Sequence, residues 1–71
     1  MPAVKITGVY EINGNKHWVT FEFKNDQKFI EGLVVFKGGK LIRVKTFGKG
    51  ELQTSERMRI GLKAKKALEN K

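Results

Sequence analysis

The chain has 71 residues, with 15 Lys and Arg against seven Asp and Glu, and a formal net charge of +8 at pH 7. This length allows one domain, residues 1–71, and the lack of cysteine excludes a disulfide framework and thiolate metal sites. No apolar run approaches the roughly 20 residues of a membrane helix. We therefore expect a soluble protein without a membrane partner, located in the cytoplasm or on the nucleoid.

The surplus of positive charge lies entirely in the second half of the sequence. Residues 1–35 carry four Lys against four acidic residues, whereas residues 36–71 carry eight Lys and three Arg against three Glu. A one-sided surplus of this kind attracts polyanions. Nucleic acid, either DNA or RNA, is the partner that this composition favours.

The first predicted element is a β-hairpin, with strands over about residues 4–12 and 16–24. Asn13-Gly14 between them is typical of a type I′ turn, whose two central residues need positive φ. This turn places Trp18 on the polar face, where the indole either stacks on a base or packs if the sheet curls. The predicted apolar face of the first strand consists of Val4, Ile6, Gly8, Tyr10 and Ile12.

The second predicted hairpin has strands over about residues 28–37 and 40–47, with its turn at Gly38-Gly39. Its register puts Leu33 and Val35 on the core face. The opposite face interleaves aromatic with cationic side chains, a combination that provides both stacking surface and phosphate attraction. In the alternative interpretation, the two Phe are core residues beneath the helix and the cations extend to the edge. This second face consists of Phe36, Leu41, Arg43, Lys45 and Phe47.

A helix is predicted over about residues 55–68, capped by Thr54 or Ser55. Gly61 within it either permits a close approach to the sheet or marks a break. One arc of this helix is apolar and should pack on the sheet, whereas the opposite arc is basic. That basic arc is either a solvated face or a phosphate-binding stripe, and it consists of Arg59, Lys63 and Lys66.

These elements predict a mainly β fold with one C-terminal helix. The strands form an antiparallel meander of four to five strands, either a small SH3-like barrel or a curved open sheet. An uncovered sheet edge in so small a domain makes a homodimer plausible. In outline, this element order resembles the small basic chromatin proteins of archaea and the single-strand-binding transcriptional coactivator domains.

The residues that catalysis needs are sparse in this sequence. It has one His, one Asp and no Cys, so a general acid–base pair, an activated nucleophile and a metal cluster all lack members. We expect no enzyme activity, no metal and no cofactor. A small ribonuclease that uses His17 is the catalytic alternative.

The sequence thus predicts a non-catalytic, largely sequence-nonspecific nucleic-acid-binding protein. Two other classes stay open: a structural RNA-binding component of a ribonucleoprotein such as the ribosome, and an interaction module whose basic hairpin docks on an acidic protein. The residues predicted to contact nucleic acid are Trp18, Phe36, Lys37, Lys40, Arg43, Lys45, Phe47, Lys49, Arg59, Lys63 and Lys66.

Overall fold

A computed structural model describes residues 3–70 as one antiparallel sheet followed by a helix. The strand order is β1-β2-β3-β4, and each neighbouring pair is antiparallel. The predicted mainly β fold with a C-terminal helix is confirmed, in its open-sheet form, because β1 and β4 are edges rather than neighbours. The elements are β1 (Ala3–Asn13), β2 (Lys16–Lys24), β3 (Phe29–Lys37), β4 (Lys40–Phe47) and α1 (Thr54–Glu69).

The helix covers one face of the sheet, and the core lies between them. Successive side chains of a strand point to opposite faces, so every second residue of β2 is buried beneath α1. Ile60 and Ala64 of α1 are fully buried against this face. The buried core cluster consists of Val4, Val19, Phe21, Phe23, Ile30, Val34, Phe36, Leu52, Ile60 and Ala64.

A β-bulge at Thr7 changes the register within the first hairpin, and a second register shift follows at Ile12. Lys5 lies opposite Glu22 before the bulge, but beyond it the pairing shifts by one residue and Tyr10 lies opposite Trp18. An extra residue inverts the alternation, so Val9 packs against the core while Tyr10 and Ile12 are exposed. The prediction that Gly8, Tyr10 and Ile12 continue the core face is therefore wrong.

The turn of this hairpin also differs from the predicted one. Gly14 and Asn15 connect the strands, and no residue of this turn has positive φ, so the type I′ turn at Asn13-Gly14 is wrong. The Asn13 Oδ1 instead accepts hydrogen bonds from the backbone N–H groups of Asn15 and Lys16, at 3.1 and 3.0 Å. A side chain that binds nearby backbone in this way offers the chain a different turn.

The second hairpin turns at Gly38-Gly39 as predicted, and both glycines have positive φ, 61° and 81°. A register shift lies between Val35 and Phe36 of β3, with Ile42 as the extra residue on β4, so Val35 lies opposite Arg43 and Phe36 opposite Leu41. The faces of β3 are the reverse of those predicted, because Phe36 is in the core and Val35 is on the other face. Residues 32–36 are buried on both faces of β3. They therefore lack the alternation of apolar and polar residues that would identify the core face.

The helix begins one residue earlier than predicted, and its N-cap is Gln53 rather than Thr54 or Ser55. The Gln53 backbone N–H donates a 2.8 Å hydrogen bond to Glu56 Oε1. Gly61 does not break the helix; it is buried, and a Cβ there would lie 2.8 Å from Leu41 Cδ1. Within residues 3–70 no helix has both the length and the apolar character to cross a bilayer.

Candidate functional site

The face of the sheet away from α1, here called the open face, displays one exposed aromatic residue from each strand. They are Tyr10 of β1, Trp18 of β2, Phe29 of β3 and Phe47 of β4. Tyr10 is 53% exposed and Trp18 is 37% exposed. No other described element packs over these rings, so they can take part in intermolecular contacts.

Four of the open-face residues form a row across all four strands. Tyr10 lies opposite Trp18, Trp18 opposite Val35, and Val35 opposite Arg43. Cross-strand neighbours of this kind have Cβ atoms roughly 4.5–5.5 Å apart, so the four side chains form a continuous strip. The two bulges create this strip, because the bulge at Thr7 brings Tyr10 to the open face and the one at Ile42 brings Arg43 there.

The Tyr10 ring has a defined position on this face. It lies against the backbone of Gly8, where an added Cβ would come within 2.7–2.8 Å of the ring atoms and the hydroxyl oxygen. Only a residue without a side chain permits this packing. The neighbouring Thr7 and Thr20 hydroxyls share a 2.7 Å hydrogen bond, which links β1 to β2 beside the bulge.

The centre of the open face is apolar. Leu33 and Val35 are buried although no helix or strand of residues 3–70 covers them. Their shielding comes from the larger side chains on the neighbouring strands, among them Trp18, Arg43 and Lys45. A ligand on this face would therefore meet aromatic and aliphatic surface bordered by cations.

The open face is positively charged. Its two carboxylates, Glu22 and Glu31, lie opposite each other on β2 and β3, in the row that ends at Phe47. The Tyr10–Arg43 row contains no carboxylate, and the two hairpin tips beyond it are cationic. Alternation and cross-strand pairing place seven cations on this face: Lys5, Lys16, Lys24, Lys37, Lys40, Arg43 and Lys45.

The structure brings some of the predicted site residues together and separates others. Trp18, Lys37, Arg43, Lys45 and Phe47 lie on the open face. Lys40 is at the β3–β4 turn and Lys49 is exposed in the loop after β4. The basic arc Arg59, Lys63 and Lys66 is exposed on α1, on the opposite side of the molecule.

Two expectations of the sequence analysis need correction. Phe36 is 0% exposed and packs in the core, so it cannot stack on a base, and the alternative that made it a core residue is correct for Phe36. The cations of the second half form two separate surfaces rather than one. Tyr10 was missed, because the bulge that exposes it leaves no mark in the hydropathy pattern.

The single histidine lies outside the open face. His17 Nε2 is 3.9 Å from Glu11 Oε1, and these two residues are cross-strand neighbours close to the first hairpin turn. Residues 3–70 contain no group of three or more His, Cys, Asp or Glu that could hold a metal ion.

The chain matches no protein-family model, no curated protein and no solved structure. Function is therefore inferred from the arrangement of the side chains themselves.

Proposed function

We propose that this protein binds single-stranded nucleic acid across the open face, without catalysis and with little sequence preference. The observation that carries the proposal is the Tyr10–Trp18 pair, which is exposed on adjacent strands in a row that ends at Arg43. Aromatic rings on a sheet provide stacking surfaces for unpaired bases, and nearby cations attract the phosphates.

A single strand fits this face better than a duplex does. The rings lie on an open sheet, and only unstacked bases can lie against them. The cations around the rings would contact the backbone as it passes over the apolar centre. A stacked base contributes about 1–3 kcal/mol whatever its identity, because every base has a π-face.

Low sequence preference follows from the residue types on the open face. Side chains that read base edges are typically Asn, Gln, Arg and the acidic residues. Of these types, the Tyr10–Arg43 row carries Arg43 alone, because Glu22 and Glu31 lie in the row that ends at Phe47. The Asn and Gln side chains of residues 3–70 belong to turns, loops, helix ends or the end of β1, and none lies in the middle of a strand. Stacking and charge would therefore provide most of the binding free energy.

Alanine variants of the two paired aromatics test the proposal. Fluorescence anisotropy of a labelled oligo(dT), and separately of a labelled oligo(U), would give the dissociation constants. We expect Trp18→Ala and Tyr10→Ala each to weaken binding about 5- to 150-fold, which corresponds to the loss of one stacked base. Neither side chain belongs to the buried core cluster, so both variants should stay folded, which thermal unfolding would check.

A pair of lysine variants provides the matched control. Lys45→Ala and Lys63→Ala each remove one exposed cation, the first on the open face and the second on the far side of α1. The proposal requires Lys45→Ala to weaken binding more than Lys63→Ala does. Equal losses from both lysines, together with an unchanged affinity of Trp18→Ala, would mean that the open face is not the binding site.

A further inference from the structure

A second exposed surface lies on the opposite side of the molecule, between β4 and the flank of α1. Its apolar residues are Leu41 and Ile42 of β4 and Met58 and Leu62 of α1, here called the helix–strand groove. Met58 is 64% exposed and Leu62 is 70% exposed. Three depressions run along it, and Met58 lines all of them. Leu62 lines two of the three and Leu41 lines two, so the apolar surface is continuous.

The local structure accounts for this groove. Met58 and Leu62 are one turn apart on α1 and so lie side by side on its surface. Gly61 between them allows Leu41 to pack against the helix, where a side chain would collide with Leu41 Cδ1. The bulge at Ile42 leaves this residue exposed on the free edge of β4. The groove thus has two apolar walls, one from the helix and one from the edge strand.

The border of the groove is strongly cationic. None of the residues that line the three depressions is acidic. The cations that line them include Lys40, Arg57, Arg59, Lys63 and Lys65. A ligand that fits this surface must combine apolar side chains with negative charge.

We propose that the helix–strand groove docks an acidic segment of a partner protein, with two or more apolar side chains of that segment seated between Leu41, Met58 and Leu62. Apolar anchors of an amphipathic segment give affinity in such a groove, and its carboxylates complement the border. A second copy of this chain fits less well, because a twofold interface places the same cations opposite each other.

This docking site does not depend on nucleic-acid binding, because its residues and those of the open face lie on different sides of the sheet. The protein would then connect a nucleic acid to an acidic protein. Arg43 and Lys40 of the edge strand border both surfaces.

A designed peptide probes the groove directly. The probe is a fluorescein-labelled peptide of about 15 residues, with Leu and Phe at helical spacing and Asp or Glu elsewhere. Two controls keep the length: one replaces Leu and Phe by Ser, and the other replaces Asp and Glu by Lys. We expect saturable binding of the acidic apolar peptide and at least tenfold weaker binding of both controls.

Variants locate the peptide on the protein. Met58→Lys and Leu62→Lys remove the apolar anchors while keeping the border cationic, and each should weaken peptide binding at least tenfold. Both residues are largely exposed, so the fold should persist, and oligo(dT) binding should stay within about twofold of wild type. Trp18→Ala should show the reverse pattern, with peptide binding unchanged, so failure of this proposal and failure of nucleic-acid binding are distinguishable.

Three results would overturn the proposal. One is absence of binding of the acidic apolar peptide, and another is equal binding of the Ser-substituted control, which would reduce the contact to charge alone. The third comes from analytical ultracentrifugation: a wild-type dimer that Leu62→Lys converts to a monomer would show that a second copy of the chain occupies the groove.

Discussion

Gly32 shows how closely the strands approach beneath the helix. A Cβ at this position would collide with the backbone carbonyl of Lys45 and would lie 2.9 Å from the Phe21 ring. A backbone carbonyl cannot move aside as a flexible side chain can. We therefore expect Gly32→Ala to lower the free energy of unfolding by about 1–3 kcal/mol, as measured by urea denaturation.

Gly14 provides the matched control for this prediction. It lies in an exposed turn, where a Cβ would meet nothing within 4 Å, and its φ is not positive. Gly14→Ala should change the free energy of unfolding by less than about 0.5 kcal/mol. Equal changes in the free energy of unfolding for the two substitutions would contradict the close approach of the Lys45 carbonyl to Gly32.

At the level of single residues, the sequence predicted Trp18 but not Tyr10. Both registers of the first hairpin, the predicted one and the observed one, put Trp18 on the face away from the core. The side on which Tyr10 lies depends on the bulge at Thr7. A bulge adds one residue without changing the residue types, so periodicity alone could not place Tyr10.

The start of the helix is attached to the sheet by one ion pair. Lys28 Nζ lies 2.7 Å from Glu56 Oε1 and donates a second hydrogen bond, of 3.0 Å, to the Glu51 carbonyl. The hydrogen bond from Lys28, with that from the Gln53 backbone N–H, lowers the pKa of the Glu56 carboxyl. Glu51 and Glu56 are thereby held against Lys28, the residue that precedes β3.

The lowered pKa predicts an acid-dependent loss of stability. A carboxyl whose pKa is lower in the folded state stabilises the fold above its unfolded pKa of about 4.3, and this contribution disappears as the pH falls through the folded value. We expect Glu56→Gln to have a lower Tm than wild type at neutral pH. The difference should shrink on acidification, as measured by circular dichroism.

Glu69, at the other end of α1, provides the control for this element. It takes no part in the bonds at the helix start, and its charge lies near the negative end of the helix dipole. Glu69→Gln should leave the neutral-pH Tm unchanged or slightly higher. A Tm difference between wild type and Glu56→Gln that persists unchanged at low pH would contradict the assigned role of the ion pair.

At the level of elements, the sequence predicted the number, order and type of all five, and most boundaries to within one or two residues. Turn glycines, polar connections and one amphipathic helix are signals within short stretches of sequence. They were sufficient to predict these elements and their boundaries. Which residues of β3 point to the core was not predictable, because residues 32–36 are all apolar or glycine and fit either face of the sheet. The burial of Phe36 was decided by packing against α1, which is a tertiary effect.

The whole molecule has two cationic surfaces that face in different directions, although the sequence shows one run of positive charge. The two surfaces are separate because the helix lies on one side of the sheet. The distribution of charge along the sequence does not show where the helix packs. The electrostatic field of both surfaces would attract a polyanion toward the protein. In the proposed function, contact with the bases would use the open face alone, because the exposed rings of the strands are there.

The salt dependence of binding tests this division at the scale of the whole protein. If six of the open-face cations contact phosphates of a single strand, log K should fall with log salt concentration at a slope near −4. Lys45→Ala should make the slope about 0.7 less negative, whereas Lys63→Ala should leave it unchanged. A flat salt response of the wild type would contradict phosphate binding.

The emission of Trp18 tests the central claim most directly, because it is the only tryptophan of the chain. During titration with unlabelled oligo(dT) at low salt, stacking of a base on the indole should quench this emission. The quenching should saturate at the same oligonucleotide concentration as the anisotropy of a labelled strand. Binding that is complete by anisotropy but leaves the Trp18 emission unchanged would contradict nucleic-acid binding at the open face.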